Sequence, residues 1–199
     1  MKIVREPKQE RSIEKKNKII TAGYELFSEV GYYNTNTAQI AKRAGVSTGI
    51  VYGYFKDKRD ILLAVLELYL EKIVEPVMNL LSSLTPPVDY DTLVPEILEL
   101  TMHAHKAHSK IHEALHSMTH TDAVVNEKFT ELEDELTLAV SNKLSLCGEK
   151  IENSREKVHL AINIIQSYSH ECICDEHCYI DYPVMRAIVE KTIINLFKN

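Results

Sequence analysis

The side chains with the most obvious chemistry collect in three stretches of the chain. Six of the nine histidines fall between His103 and His120. On one continuous helix, His105, His108, His112, His116 and His120 would share about a third of the circumference, beside Ile111, Leu115 and Met118. Such a stripe suits a metal, a haem, a pH response or an aromatic ligand. It suits a polar helix margin equally well, and a break near Ser109 would divide it. The second stretch holds His170, Cys174, His177 and Cys178, with Cys172 close by. His170, Cys174 and Cys178 step by four, and thiolate with imidazole is a preferred set for zinc or copper(I). Their spacing matches no zinc finger or ribbon, so buried thiols and hydrogen-bonded histidines are the stronger reading. No Gly-rich phosphate loop is present, and the chain reads as a non-enzyme that requires no cofactor.

The third stretch, residues 36–55, reads NTAQIAKRAGVSTGIVYGYF. Two short helices joined by a tight Gly-containing turn let the second lie in the major groove of DNA while the first braces it. Ile40, Ala41 and Ala44 form the packing face of the brace, Gly45 supplies a left-handed turn, and Val46 fills the angle. Ser47 caps the second helix, and the short Thr48 and Gly49 permit close approach to base edges. Tyr52 and Tyr54 place hydroxyls where phosphates run, and Lys56 and Lys58 add charge. Packing is the competing role for Tyr54; Ile40 and Phe55 read as core.

Helices must position all three stretches. Only six Gly and six Pro occur, and no sustained period-two alternation marks a strand. A first helix is expected over residues 12–30, with Ile19, Ile20, Leu26, Phe27 and Val30 on its apolar face and Gly31 as its stop. Short helices follow over 37–44, capped by Asn36, and from Ser47 to about Tyr54. A long helix over 58–83 carries Pro76, which should kink or split it. Beyond the Thr85-Pro86-Pro87 linker, helices are expected over 91–107, 109–119, 122–147, 153–175 and 183–198. About nine helices in an all-α chain result.

Charge separates the ends. Residues 1–60 hold twelve Lys and Arg against seven Asp and Glu, while the remainder holds eleven against twenty-two. A basic head on an acidic body brings only the head to phosphates. Within the head, the basic arm Lys8, Arg11, Lys15, Lys16 and Lys18 reads as phosphate-contacting or simply solvated. No run of about 18 apolar residues exists, and residues 1–10 lack a signal peptide's apolar stretch. A cytoplasmic protein without a membrane partner is the expectation.

The run LFSEVGYYNTNTAQIAKRAGVSTGIVYGYFKDKRDIL is similar throughout to the signature of the tetracycline-repressor (TetR) family. The shared pattern is a helix ending in Phe-x-x-x-Gly, then Ile-Ala-x-x-Ala-Gly-Val-Ser, then Tyr-x-Tyr-Phe, then Lys before a Leu-rich helix. The likeness covers roughly residues 13–73, about a third of the chain. It implies an N-terminal three-helix helix-turn-helix DNA-binding domain over 1–57, with the motif at 36–55. Residues 58–199 would then form a helical-bundle domain for effector binding and dimerisation. The resemblance implies DNA contacts at Thr35, Asn36, Thr37, Ser47, Thr48 and Gly49. Tyr52 and Lys58 would hold phosphates, with Tyr54 a further candidate. Gly53 departs from the family, where a large side chain commonly touches the backbone, so no contact is assigned there.

The same resemblance implies a transcriptional regulator, commonly a repressor released from its double-stranded operator by a small molecule in the body. It also implies a homodimer paired through the last two helices. Their apolar residues Ile162, Ile165, Ile188, Ile193 and Phe197 exceed what one core edge needs. The effector is unknown; His105, His108, His112, His116 and Phe129 are the side chains expected around it. The alternative is a metal- or haem-responsive sensor of the same fold, using the cluster between His103 and His120 or that of His170, Cys174, His177 and Cys178.

Overall fold

A computed structural model describes residues 10–175 and 177–198. Among them the ordered elements are nine helices and no strand. They are α1 Glu10–Val30, α2 Thr37–Arg43, α3 Thr48–Tyr54, α4 Lys58–Ser82, α5 Tyr90–Ala107, α6 Ser109–Thr119, α7 Ala123–Leu146, α8 Ser154–Cys174 and α9 Tyr182–Phe197. The boundaries follow local chemistry. Asn36 and Gln39 make a reciprocal capping box at α2: the Gln39 amide donates to Asn36 Oδ1 at 3.0 Å and the Asn36 amide to Gln39 Oε1 at 2.8 Å. Asp181 caps α9 by accepting the Val184 amide at 3.0 Å. Gly45 ends α2 at φ +67°, with the Val46 amide returning to Ala41 and the Gly45 amide to Lys42. Gly148 closes α7 in the same way at φ +82°, its own amide returning to Ser145 and that of Glu149 to Leu144.

Two compact units divide the chain. The first contains the residues through Glu71 together with Lys110–Val125, so α6 belongs with α1, α2, α3 and the opening of α4. Ile19, Phe27, Ile40, Val51, Ile61, Leu62, Leu66, Ile111 and Leu115 are among its fully buried side chains. Burial of each such group contributes about 1.5–3 kcal/mol. Gly23 allows α1 and α4 to approach closely, because a Cβ there would lie 2.9 Å from Ile61 Cγ2 and 3.2 Å from Val65 Cγ2. Ion pairing and hydrogen bonds fasten α6: Arg59 grips Asp122 at 2.5 and 2.7 Å, and Lys110 donates to the Glu29 carbonyl. The Tyr69 hydroxyl meets His112 Nδ1 at 2.6 Å inside this unit.

The second unit contains Lys72–Ser109 and the chain from Asn126 onward. Val94 and Leu98 of α5, Ala161, Ile165 and Tyr168 of α8, and Val189 and Ile193 of α9 form one buried cluster. Tyr90, Leu93, Leu144, Cys147 and Val158 form another, with Tyr90 stacked on Phe197 at 5.3 Å between ring centroids.

Two expectations change and one narrows. Of the two outcomes expected at Pro76, splitting does not occur, since α4 is continuous from Lys58 to Ser82. Val30 is 42% exposed, because α1 ends beside it at Gly31 and the chain turns away. The supposed histidine stripe is divided: His108 leaves helical geometry at φ −123°, ψ 23° and separates α5 from α6. His105 therefore belongs to the second unit, and His112 and His116 to the first.

Candidate nucleic-acid interface and ligand cavity

In the first unit α2 and α3 pack against each other across the Gly45 turn, and α1 packs on α2. Ile40 and Val51 anchor the pair from inside at zero exposure. Ser47 caps α3, accepting the Ile50 amide at 3.3 Å. Gly49 and Gly53 lie on open ground, since a Cβ on Gly49 would meet nothing nearer than 3.9 Å and one on Gly53 nothing within 4 Å. Thr37 and Tyr52 come together, their hydroxyls 3.1 Å apart, and the Tyr52 ring stays 44% exposed. Asn36, Ser47, Gly49 and Tyr52 are exposed, with Thr37 and Thr48 half-buried beside them.

Three expected contact residues have other work in the fold. Thr35 is buried, and its hydroxyl donates to the Gly31 carbonyl at 2.9 Å, so it shapes the loop before α2. Tyr54 shares a 2.8 Å hydrogen bond with Ser12 of α1. Lys58 turns its ammonium onto the Tyr32 and Thr35 carbonyls at 2.8 and 2.7 Å, and 4.2 Å above the Tyr32 ring. Two of its three N–H donors thus hold the α1–α2 loop, and burial lowers its pKa. Arg43, which sequence reasoning missed, clasps Glu29 at 2.7–2.9 Å and Glu25 at 3.1 Å, and its hydrogen bond holds the Glu29 carboxyl below its usual range. The Gln39 half of the capping box was readable as Asn-x-x-Gln; the Arg43 clasp had no sequence signal, because its partners come from α1.

In the second unit a cavity of about 120 Å³ lies among α4, α5, α7, α8 and α9. Ile73 and Val77 of α4, Leu132, Leu136 and Val140 of α7, and Ile162 of α8 contribute to its largely apolar wall. Its polar lining comes from Tyr90, Thr101, His105 and Gln166. His105 Nδ1 lies 2.8 Å from the Thr101 carbonyl, which can only accept, so this nitrogen carries the proton. Burial pushes the His105 imidazole below its ordinary range and keeps it neutral.

Of the side chains expected around an effector, His105 alone is in this wall. His112 and His116 lie in the first unit with ring centroids 4.2 Å apart. His108 is at the α5–α6 break, and Phe129 of α7 is half-buried outside the lining. Thr101, Gln166 and the α7 leucines were missed, since as sequence they read only as helix faces.

The thiol cluster is also dispersed. Helix α8 ends at Cys174, so His177 and Cys178 leave the expected face. His170 Nδ1 turns to Asp175 at 3.3 Å and His177 Nε2 to Glu171 at 3.8 Å. Among the described residues no group of three or more His, Cys, Asp or Glu side chains is arranged to hold a metal ion. Two motif strings lose their usual meaning here. His112-Glu113-Ala114-Leu115-His116 has the two-histidine zinc spacing, yet His112 is bonded to Tyr69 and Glu113 is exposed. Gly45-Val46-Ser47-Thr48-Gly49 has the spelling of a nucleophile elbow, but it follows a helix instead of a strand and uses Ser47 as a cap.

Two short capped helices joined at the Gly45 turn define a helix-turn-helix. Residues 19–65 match the family described as bacterial regulatory proteins, tetR family. The HTH-type transcriptional regulator HbdR of Aromatoleum sp. (strain CIB) is 45% identical over 76 residues, covering 38% of this chain and 33% of that protein. The chain thus spans about a third of the length of that relative. A solved structure described as a TetR-family transcriptional regulator from Syntrophomonas wolfei superposes with TM-score 0.67 at 24% identity, covering 94% of this chain and 96% of that one. Another, a transcriptional regulator from Saccharomonospora viridis in complex with choline, has TM-score 0.68 at 14% identity, covering 91% and 96%. Residues 19–65, spanning α2, α3 and parts of α1 and α4, thus carry the tetR-family match, and the solved structures share the fold over most of the chain. No helix of the described residues is long and apolar enough to cross a membrane.

Proposed function

We propose that the protein is a transcriptional repressor that binds an operator through α2 and α3 and leaves it when a small molecule fills the cavity of the second unit. The observation that carries this reading is the exposed surface where Thr37, Ser47, Thr48, Gly49 and Tyr52 converge on one capped helix pair. Short side chains at Thr48 and Gly49 permit close approach to base edges, while Tyr52 and the remaining donor of Lys58 reach phosphates. Asn36 serves first as the cap that sets α2 and contributes to backbone contact from there.

A homodimer supplies the two heads that successive major grooves require. Leu160 of α8 and Val184 and Ile188 of α9 support it, being 48%, 54% and 59% exposed. Val184 and Ile188 are one helical turn apart and share a face. Three stretches of chain join the units: α4, which passes from one to the other between Glu71 and Lys72, the start of α6 just after the break at His108, and α7 between Val125 and Asn126. Ligand in the cavity favours a conformation of the dimer with lower operator affinity, and release follows by population shift.

A gel shift on the gene's own upstream region tests the reading. Retention that weakens by orders of magnitude between about 50 and 200 mM salt is expected. A protein that shifts no duplex at any salt is not a DNA-binding regulator. Ile188→Asp should yield a monomer by sedimentation with reduced retention; a variant that stays dimeric removes α9 from the interface.

A further inference from the structure

The geometry points to the chemical class of the effector: a compact, uncharged, mainly apolar molecule with one hydrogen-bonding group. This rests on the reading of the cavity as the effector site. None of the described residues lining the cavity is Lys, Arg, Asp or Glu. An ion entering it would lose its hydration without meeting a counter-charge, which opposes binding strongly. The histidine in the wall does not change this, because burial keeps His105 neutral and its Nδ1 proton is directed to the Thr101 carbonyl. Nor do the aromatic rings form a cage for a quaternary ammonium, since Tyr90 and Phe197 stack on each other at an interplanar angle of 8°. The choline bound by the Saccharomonospora viridis protein is therefore a poor match for this cavity.

Size and polarity are set by the same walls. A volume of about 120 Å³ is of the order that holds a single six-membered ring in an apolar protein cavity. Of the polar lining, Tyr90 opens α5 and is stacked on Phe197, while Thr101, His105 and Gln166 stand toward the C-terminal ends of α5 and α8. Thr101 and His105 are one turn apart on α5, and His105 is within electrostatic reach of His170, which stands one turn beyond Gln166 on α8. Gln166 offers both a donor and an acceptor there, so a hydroxyl or carbonyl of the ligand is oriented toward that end while its hydrocarbon contacts Leu136, Val140 and Ile162.

Calorimetric titration of the full chain in the absence of DNA tests this, with benzyl alcohol, cyclohexanol, toluene, benzoate and choline as probes. Benzyl alcohol or cyclohexanol should bind saturably, and benzoate and choline about a hundredfold more weakly or not at all. Gln166→Leu should narrow the preference for benzyl alcohol over toluene by about fivefold or more. Ala161→Leu and Val140→Phe fill the cavity, and whichever retains the wild-type helical circular dichroism should lose binding. Equal or tighter binding of either ion overturns the inference, as does failure of all three uncharged probes or full binding by a folded cavity-filling variant. The gel shift reads the regulator separately. Operator retention with a preference for benzoate sinks only the ligand class, whereas uncharged-probe binding without operator retention sinks only the regulator.

Discussion

Lys58 shows how a side chain can be recognised by position and still have an unexpected task. Its ammonium ties two backbone carbonyls of the α1–α2 loop, those of Thr35 and of Tyr32, the latter also accepting the Thr35 amide at 3.2 Å. Lys58→Ala should lower the stability of the chain by about 1–3 kcal/mol, measured by urea denaturation, as well as weaken DNA binding. An unchanged unfolding midpoint would mean that the tie contributes nothing and only the phosphate role remains. Two glycines make an opposite pair. Gly23→Ala forces a methyl against Ile61 and Val65 and should cost about 1–3 kcal/mol. Gly53→Ala meets nothing and should stabilise α3 by about 0.5–1 kcal/mol, provided the same denaturation series is used for both.

At the scale of elements, the turn from α6 into α7 depends on Asp122. Its carboxylate accepts from Arg59 and from the Val124 and Val125 amides, and the Arg59 hydrogen bond lowers its pKa below 3.8. The unfolded chain therefore binds this proton more readily than the folded one. The contribution is fully present above about pH 4 and is lost as pH falls through the depressed value. Asp122→Asn should flatten the decline of stability between about pH 4 and pH 2; parallel acid-unfolding curves for both proteins would contradict this coupling. The helices themselves were largely legible, because Asn36, Gly45, Ser47 and Gly148 are local signals that act on their own neighbours. What was not legible depended on distant partners. Thr35 reads as an exposed polar residue until Gly31 and α4 enclose it, and the histidine stripe assumed a continuity that His108 interrupts. Phe129 looked suited to a ligand wall, yet Leu132 and Leu136 hold that place, since only packing decides which part of α7 faces α5 and α8. In the head, the caps and the Gly45 turn were readable to single residues; the fold roles of Thr35, Tyr54, Lys58 and Arg43, like the cavity, were not.

The whole molecule combines a basic head sequence with an acidic remainder and two separately packed units. Buried histidine adds a pH dependence to the second of these. His105 has its pKa lowered by burial, so the folded form resists protonation where the unfolded form accepts it. Stability from this group is complete above about pH 6.5 and declines as pH falls toward the depressed value. His105→Gln should reduce the loss of thermal stability between about pH 7 and pH 5; an unaltered slope would assign that loss to other groups. Fluorescence anisotropy should compare the upstream duplex of the gene with a scrambled duplex of equal length and composition, at about 150 mM salt. Binding to the upstream duplex tighter by about 10³-fold or more, with that ratio changed by Thr48→Ala and both affinities lowered alike by Tyr52→Phe, is the predicted result. Equal affinity for the two duplexes, or none for either, would contradict it.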